Sequence, residues 1–358
     1  MSNKREVQGA GHPLFSIIVP VYQSQETLNE CIDSVLCQQC QNYEMILIDD
    51  GSTDMSRKIC DEYAERYPGN ISVIHKSNKG PLMARIEGIQ MSQGEYLLFL
   101  DADDSYVPGI FYKLENIIKS QNADIIIFNY YRCYKNGKSE LNKPLYRNGQ
   151  MFKENGKQKL YQELVAGFEL NALWQKCMRR EVLGDLRDFL QFGGMVIGED
   201  KMVSMEAIDR ADKIIYMADG LYNYRIAENS ISHSLSLKHY KDMDKVYRRT
   251  LEYLERWDME RYITICSIRK AESGLSCLYS TACEVRLRKK VFSDFKSLAS
   301  YIVSDREYWN AFAECKEKLS FPHRTICRLL QKNCIKTVFG FMYMDNLIKN
   351  IFRKSEKI

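Results

Sequence analysis

Short, wholly apolar runs alternate with helical patterns through the first part of the chain. Ser16-Ile-Ile-Val-Pro-Val21 is too short for a helix and rich in β-branched residues, so it reads as a buried strand. Leu28, Cys31, Ile32, Val35 and Leu36 then recur at helical spacing. Met45-Ile-Leu-Ile48 predicts a second strand. Met55, Ile59, Tyr63 and Tyr67 predict a helix that starts just past Ser52 and Asp54, both good N-cap residues. A third strand runs from Ile71 to Ile74, and a helix follows through Leu82, Met83, Ile86 and Ile89. Tyr96 to Leu100 reads as a fourth strand, Ile110 to Ile118 as a helix, and Ile125 to Phe128 as a fifth strand. Apolar strands between amphipathic helices predict an α/β fold with a mostly parallel sheet covered on both faces. Such sheets bind ligands at the carboxyl ends of their strands.

From Tyr130 to Asn155 polar residues dominate, and the segment reads as loop-rich or as a short antiparallel excursion. Helical periodicity returns from Leu160 to Val165 and from Trp174 to Leu183. After Ser236 Gly and Pro are scarce, and Met243, Val246, Tyr247, Leu251 and Leu254 lead a helical pattern that resumes from Ile263 to Tyr279. These shifts predict a polar N-terminal tail (1–13), an α/β domain (14–235), a helical C-terminal part (236–323) and a basic amphipathic tail (324–358).

The apolar fraction of 45% suits a chain with a sizeable core, and the net charge of +4 does not suggest a nucleic-acid binder. The charge is uneven. From Arg324 onward eight Lys and Arg face Asp345 and Glu356. A basic amphipathic tail on a mildly acidic body predicts either an anionic membrane surface as partner or packing on the helical part or on a second copy of the chain. No run is apolar enough to cross a bilayer, and the first residues lack a secretory pattern. The expected location is therefore cytoplasmic, peripheral on the inner face of the membrane. The twelve cysteines are scattered and read as reduced thiols, the pair Cys37 and Cys40 included.

Acidic residues stand where the sheet rule directs attention. Asp49-Asp-Gly-Ser-Thr-Asp54 follows the second strand, where a carboxylate can accept hydrogen bonds from a uracil imide or a ribose hydroxyl. Ser52 or Asp54 could equally serve as a helix cap. Asp101-Ala-Asp103-Asp104 follows the fourth strand, and like charges there repel unless a cation sits among them; hard oxygen ligands suit Mg2+ or Mn2+. Between the two lie Lys76, Asn78, Lys79, Gly80 and Arg85. Gly80 opens a helix whose N-terminus could meet phosphate, and Arg85 could reach a diphosphate or pair with an Asp. Glu199-Asp200 begins another helix, as a cap or as a general base.

This ordered series resembles the family 2 glycosyltransferases, which have a GT-A fold and include bacterial cell-surface polysaccharide enzymes. The resemblance runs from about Leu14 to Ser234. It is carried by Ser16-Ile-Ile-Val-Pro-Val-Tyr22, Cys31-Ile-Asp-Ser-Val-Leu36, Asp49-Asp-Gly-Ser-Thr-Asp54, Asn78-Lys-Gly80, Ala84-Arg85 with Gly88, Gly94 through Asp104, Gly198-Glu-Asp200, Leu221-Tyr-Asn-Tyr-Arg225 and Asn229-Ser-Ile-Ser-His233. It implies that Pro20, Tyr22 and Asp50 border uracil and that Arg85 faces the diphosphate. Asp101 would hold ribose or a metal-bound water, and Asp103 would ligate Mn2+ or Mg2+, with Asp101 beside it. Asp200 would be the base, with Glu199 orienting it or holding sugar hydroxyls. Arg225 would face the leaving diphosphate, and His233 reads more readily as an ordinary loop residue than as a ligand. Gln23 stands where the family usually has Asn, and Ile86 where Asn often follows the Ala-Arg pair, which bears on donor preference.

The resemblance further implies an inverting transfer from a nucleotide-sugar donor to a glycan or lipid-linked saccharide. A nucleotidyltransferase is disfavoured because Pro20-Val-Tyr-Gln-Ser24 lacks glycine. A non-catalytic sugar-nucleotide or glycan-binding protein would bind donor without turning it over.

Overall fold

The computed structural model describes residues 12–38, 40, 42–226, 235–283 and 288–355. Contacts divide them into two units. The first takes residues 12–164, 168–195 and 199–226, and the second takes 165–167, 196–198 and 235–355.

The first unit is built on a ten-stranded sheet. Its strands are β1 (Phe15–Val21), β2 (Tyr43–Asp49), β3 (Ile71–His75), β4 (Tyr96–Phe99), β5 (Ser105–Tyr106), β6 (Ile125–Cys133), β7 (Ser139–Leu141), β8 (Gln150–Phe152), β9 (Lys176–Arg179) and β10 (Ile214–Arg225). The order is β3-β2-β1-β4-β9-β6-β10-β5, with β7 on β6 and β8 on β10. β3, β2, β1 and β4 are parallel, as are β6 and β10. Helices α1 (Leu28–Leu36), α2 (Ser56–Arg66), α3 (Pro81–Met91) and α4 (Ile110–Gln121) connect the early strands. Later come α5 (Gln158–Ala166), the single turn α6 (Arg187–Leu190) and α7 (Glu199–Arg210). Ile17, Ile18, Val19, Met45, Leu47, Leu97 and Leu98 are fully buried, which is why these strands show apolar runs rather than alternation. Helix α3 lies close on β1, because a Cβ at Gly88 would stand 2.5 Å from Ile18 Cγ2.

The polar stretch after β6 is the antiparallel excursion: β7 and β8 both pair antiparallel. The helix expected over 174–183 is corrected. β9 runs antiparallel between β4 and β6, and a 3-10 turn, Arg180–Leu183, follows it. A four-residue strand set between two others carries no period of its own, and pairing on both edges decides its conformation.

The second unit is helical: α8 (Leu237–Arg256), α9 (Ile263–Ala282), α10 (Arg288–Ser304), α11 (Arg306–Cys315), α12 (Phe321–Gln331) and α13 (Ile335–Ser355). Its core includes Tyr240, Leu278, Phe295, Leu298 and Tyr308, and also Ile326, Leu330, Val338 and Met342. Much of the apolar stripe beyond Arg324 is therefore core of this unit. Phe321, Phe341 and Met344 remain exposed. No helix among the described residues is long and apolar enough to cross a membrane.

Candidate active site

The carboxyl ends of β1, β2 and β4 bring the first acidic groups together. Asp50 follows β2, and its backbone N–H donates to the Val21 carbonyl at 2.9 Å, beside the exposed Tyr22 and half-buried Pro20. Gly51 has φ 78°, and a Cβ there would come 2.9 Å from the Asn78 nitrogen, so the turn folds directly onto the 76–80 segment. Asp50 is buried, and its two oxygens accept the N–H groups of Lys79 (2.9 Å) and Gly80 (2.8 Å). Asp50 thus fixes the backbone just ahead of α3 and takes the Gly80 amide, while the first turn of the helix itself carries no side-chain cap. Lys76 Nζ, also buried, lies 3.4 Å from Asp50 and 3.2 Å from Glu87. Its ammonium has no partner in hydrogen-bonding geometry.

Gln23 adopts φ 52°, a left-handed conformation that Asn enters more readily. Its side chain accepts N–H groups of Thr53 (2.9 Å) and Asp54 (3.2 Å), tying the end of β1 to the Asp50 turn. Ile86 is buried in α3. Neighbouring Asp49 is buried too; it accepts Ser52 N–H at 2.9 Å and meets His75 Nδ1 at 2.9 Å, while His75 Nε2 meets Asp61 at 2.8 Å. Burial works against a charge on His75, but the hydrogen bonds to Asp61 and Asp49 outweigh it and raise its pKa.

The second group is the turn after β4. Asp104 is buried; it accepts the Tyr222 hydroxyl at 2.8 Å and the Arg225 N–H at 2.7 Å, so it fastens β10 to the turn. Asp103 is open to water on one side but surrounded by protein on the others. That crowding, then the charge of Asp101, raises its pKa. Arg225 donates from Nε to the Asp103 carbonyl at 2.8 Å and from Nη2 to Glu30 at 2.7 Å.

Arg85 joins this turn to the start of α7. Nη2 donates to Asp101 at 2.9 Å, and Nη1 lies 3.3 Å from Glu199 and 2.9 Å from Asp200. Burial opposes its charge, but Asp200, Asp101 and Glu199 outweigh it and hold the guanidinium firmly protonated. Burial raises the pKa of both Glu199 and Asp200; Arg85 counteracts it, and for Glu199 the neighbouring Asp200 adds to the rise. The pair Asp101 and Asp200, from distant parts of the sequence, therefore shares one cation. The contact to Asp200 Oδ1 falls outside hydrogen-bonding geometry, so that oxygen keeps an unused lone pair. The Asp200 side chain is 22% exposed.

Two further features were not read from the sequence. Trp174 stacks on Tyr222 at 4.5 Å and 16°, and the Tyr222 hydroxyl in turn holds Asp104. Lys176, the first residue of β9, is fully buried. A lone Lys and a Trp inside Ala172-Leu-Trp-Gln-Lys-Cys-Met178 are the available signal. His233 lies outside the described residues.

Among the described residues no group of three or more His, Cys, Asp or Glu side chains converges as a ready-made metal site. Asp101 and Asp103 nonetheless form a negative pair whose mutual repulsion a divalent cation would relieve, with other oxygen ligands coming from substrate and water. A cavity of about 280 Å³ lies elsewhere, lined by Asp124, Arg179, Glu181, Val182, Arg210 and Asp212. Asp124 and Asp212 precede β6 and β10, at the opposite strand ends from these carboxylates.

A mostly parallel sheet of this order, flanked by helices and followed by a helical part, is a GT-A type fold. It is shared with Staphylococcus aureus TarS residues 1–349, solved in complex with UDP-GlcNAc (TM-score 0.65, 19% identity, 92% of this chain and 90% of that one). Residues 16–183 match the model of glycosyl transferase family 2, and through this domain the chain belongs to that family and is a glycosyltransferase. It is 28% identical over 290 residues to the glycosyltransferase GlyG of Streptococcus pneumoniae serotype 4 (71% of this chain, 94% of GlyG). It is 29% identical over 224 residues to the minor teichoic acid biosynthesis protein GgaB of Bacillus subtilis (61% of this chain, 23% of GgaB).

Proposed function

We propose that this chain transfers a hexose or N-acetylhexosamine from a UDP-sugar to a hydroxyl of a glycan or lipid-linked saccharide, in cell-surface polysaccharide or teichoic acid synthesis. The UDP-GlcNAc bound by TarS supports the donor class, and GgaB supports the pathway class. The observation that carries the mechanism is the shared guanidinium: Arg85 sets Asp200 beside Asp101. Asp200 then takes the proton from the acceptor hydroxyl, whose oxygen attacks the anomeric carbon as the bond to the diphosphate breaks. The configuration inverts through an oxocarbenium-like transition state. Glu199 orients Asp200, and Pro20, Tyr22 and Asp50 border the uracil, Asp50 by shaping the 79–80 backbone. Arg85 and Arg225 stand toward the leaving diphosphate. Mn2+ or Mg2+, held by Asp103 with Asp101 beside it, would neutralise charge on that diphosphate.

We also propose a peripheral site at the inner membrane face, with Phe321, Phe341 and Met344 as its exposed apolar contacts. The domain limits proposed remain an α/β catalytic part over 14–235 and a helical part beyond.

The test is a panel of UDP-, GDP- and TDP-sugars, with lipid-linked saccharides as acceptors, read as nucleoside diphosphate release. Release from one UDP-sugar that depends on acceptor supports the reading. Tight UDP binding with no release from any donor overturns it in favour of a binding protein.

A further inference from the structure

Lys176 is a charged side chain with no exposure to water, in a strand where apolar neighbours fill the surroundings. An ammonium taken out of water is costly unless fully hydrogen-bonded. Here Nζ donates to the carbonyl of Leu170 at 2.7 Å and to that of Ala172. Both carbonyls belong to segment 168–175, which has no regular structure beyond turns. Other donors hold the same segment: Ser204 Oγ, from α7, donates to the Asn171 carbonyl at 2.8 Å, and Gln175 Nε2 to that of Glu169.

The stapled segment reaches both halves of the site. The Leu173 backbone amide favours the ionised form of Asp200. One residue on, Trp174 stacks on Tyr222, whose hydroxyl donates to Asp104 and accepts the N–H of Asp101 at 3.2 Å. Met or Leu would fill this strand position with less desolvation, so packing alone gives no reason for a lysine.

We propose that Lys176 is a positioning residue: it staples segment 168–175, which is tied through Asn171 to the helix that begins at Glu199-Asp200 and through Trp174 to Tyr222, and its ammonium steadies the Asp200 carboxylate. The inference rests on Asp200 being the base. Burial acts most strongly against the charge on Asp200; Arg85 and Lys176 favour that charge and Asp101 opposes it, with the Glu199 carboxylate beside it on the same guanidinium. Burial lowers the Lys176 pKa to about 7, with Asp200 pulling it back up, so the ammonium is most complete on the acid side of neutrality, where a base most needs help to stay ionised.

The experiment compares Lys176→Met, Lys176→Gln, Lys176→Arg and Asp200→Asn as full-length proteins. The donor is the sugar nucleotide that gives the fastest UDP release in the panel above. UDP affinity is measured by calorimetry, and rates are taken per folded molecule. Gln keeps a donor for the carbonyls without the charge, and Arg keeps both. Lys176→Met and Lys176→Gln should hold UDP as wild type does, lose kcat about tenfold at pH 6, and move the acid limb of kcat upward by about one pH unit. Lys176→Arg should recover most of that. Wild-type kcat and acid limb in Lys176→Gln would overturn the proposal even where Asp200→Asn is inactive. Undiminished turnover in Asp200→Asn, or no UDP release from any sugar nucleotide, would instead remove the base reading and this inference with it.

Discussion

The Arg85 guanidinium lies 2.9 Å from Asp200, and the same group donates to Asp101 at 2.9 Å. Removing it leaves three neighbouring carboxylates without their cation. Arg85→Ala should lose about 3 kcal/mol of stability at neutral pH, the cost of breaking a largely buried ion pair from one side. Without the cation their folded-state pKa values rise further, so acid should restore the variant. The loss should shrink as pH falls below neutrality, as urea unfolding at several pH values will measure. A loss independent of pH would mean that Arg85 acts through packing.

Asp200→Asn keeps the shape of the side chain and removes its basicity. Transfer should fall by roughly two to four orders of magnitude while UDP binding by calorimetry stays within a factor of about two. Weaker donor binding with little change in rate would assign Asp200 to donor recognition.

Asp103 is tested through cation linkage. In the wild type, UDP affinity should rise on adding Mn2+ or Mg2+, and Asp103→Asn should abolish that rise without altering UDP binding in chelator. Equal cation enhancement in both proteins would move the ligand role elsewhere.

His75 sits between Asp49 and Asp61 and titrates above its ordinary value of 6.5. A folded chain that holds a proton more tightly than the unfolded one is stabilised by it below the ordinary pKa, and loses that stabilisation as pH rises through the raised value. The melting temperature difference between wild type and His75→Asn should therefore shrink from about pH 6.5 upward. A constant difference across that range would show that the imidazole charge contributes nothing.

The membrane proposal is narrower than the tail sequence suggested. Because Ile326, Leu330, Val338 and Met342 are core, cutting before Arg324 would damage the helical unit. The better variant is Phe341→Ser with Met344→Ser. It should retain its melting temperature and lose salt-sensitive sedimentation with anionic vesicles. Unchanged sedimentation would exclude these side chains as the contact.

The parallel half of the sheet was legible because Ser16–Val19 and Met45–Ile48 are buried on both faces and show it as unbroken, largely apolar runs. The acidic turns were legible because carboxylates directly after such runs have few structural uses. β9 was not legible, since Lys176–Arg179 becomes a strand only by pairing with β4 and β6. Arg85 was visible as a cation, but its choice among Asp101, Glu199 and Asp200 is a tertiary fact. Asp50 shows the same limit: the motif marked it, while only the fold reveals that both its oxygens are occupied by Lys79 and Gly80.

The position of β10 has a practical consequence for anyone dissecting this enzyme. β10 is an interior strand, bound to β6 along nine paired positions from Ile214↔Ile125 to Arg225↔Cys133, with β5 and β8 on its other edge. The family match ends at residue 183, before α7 and before β10. A recombinant fragment cut there would leave β6 with a long apolar edge, a template for intermolecular pairing, and would also lack the strand that clamps Asp104. The shortest expressible catalytic piece must therefore extend past Arg225, and the chain cannot complete its sheet until that late strand has been synthesised.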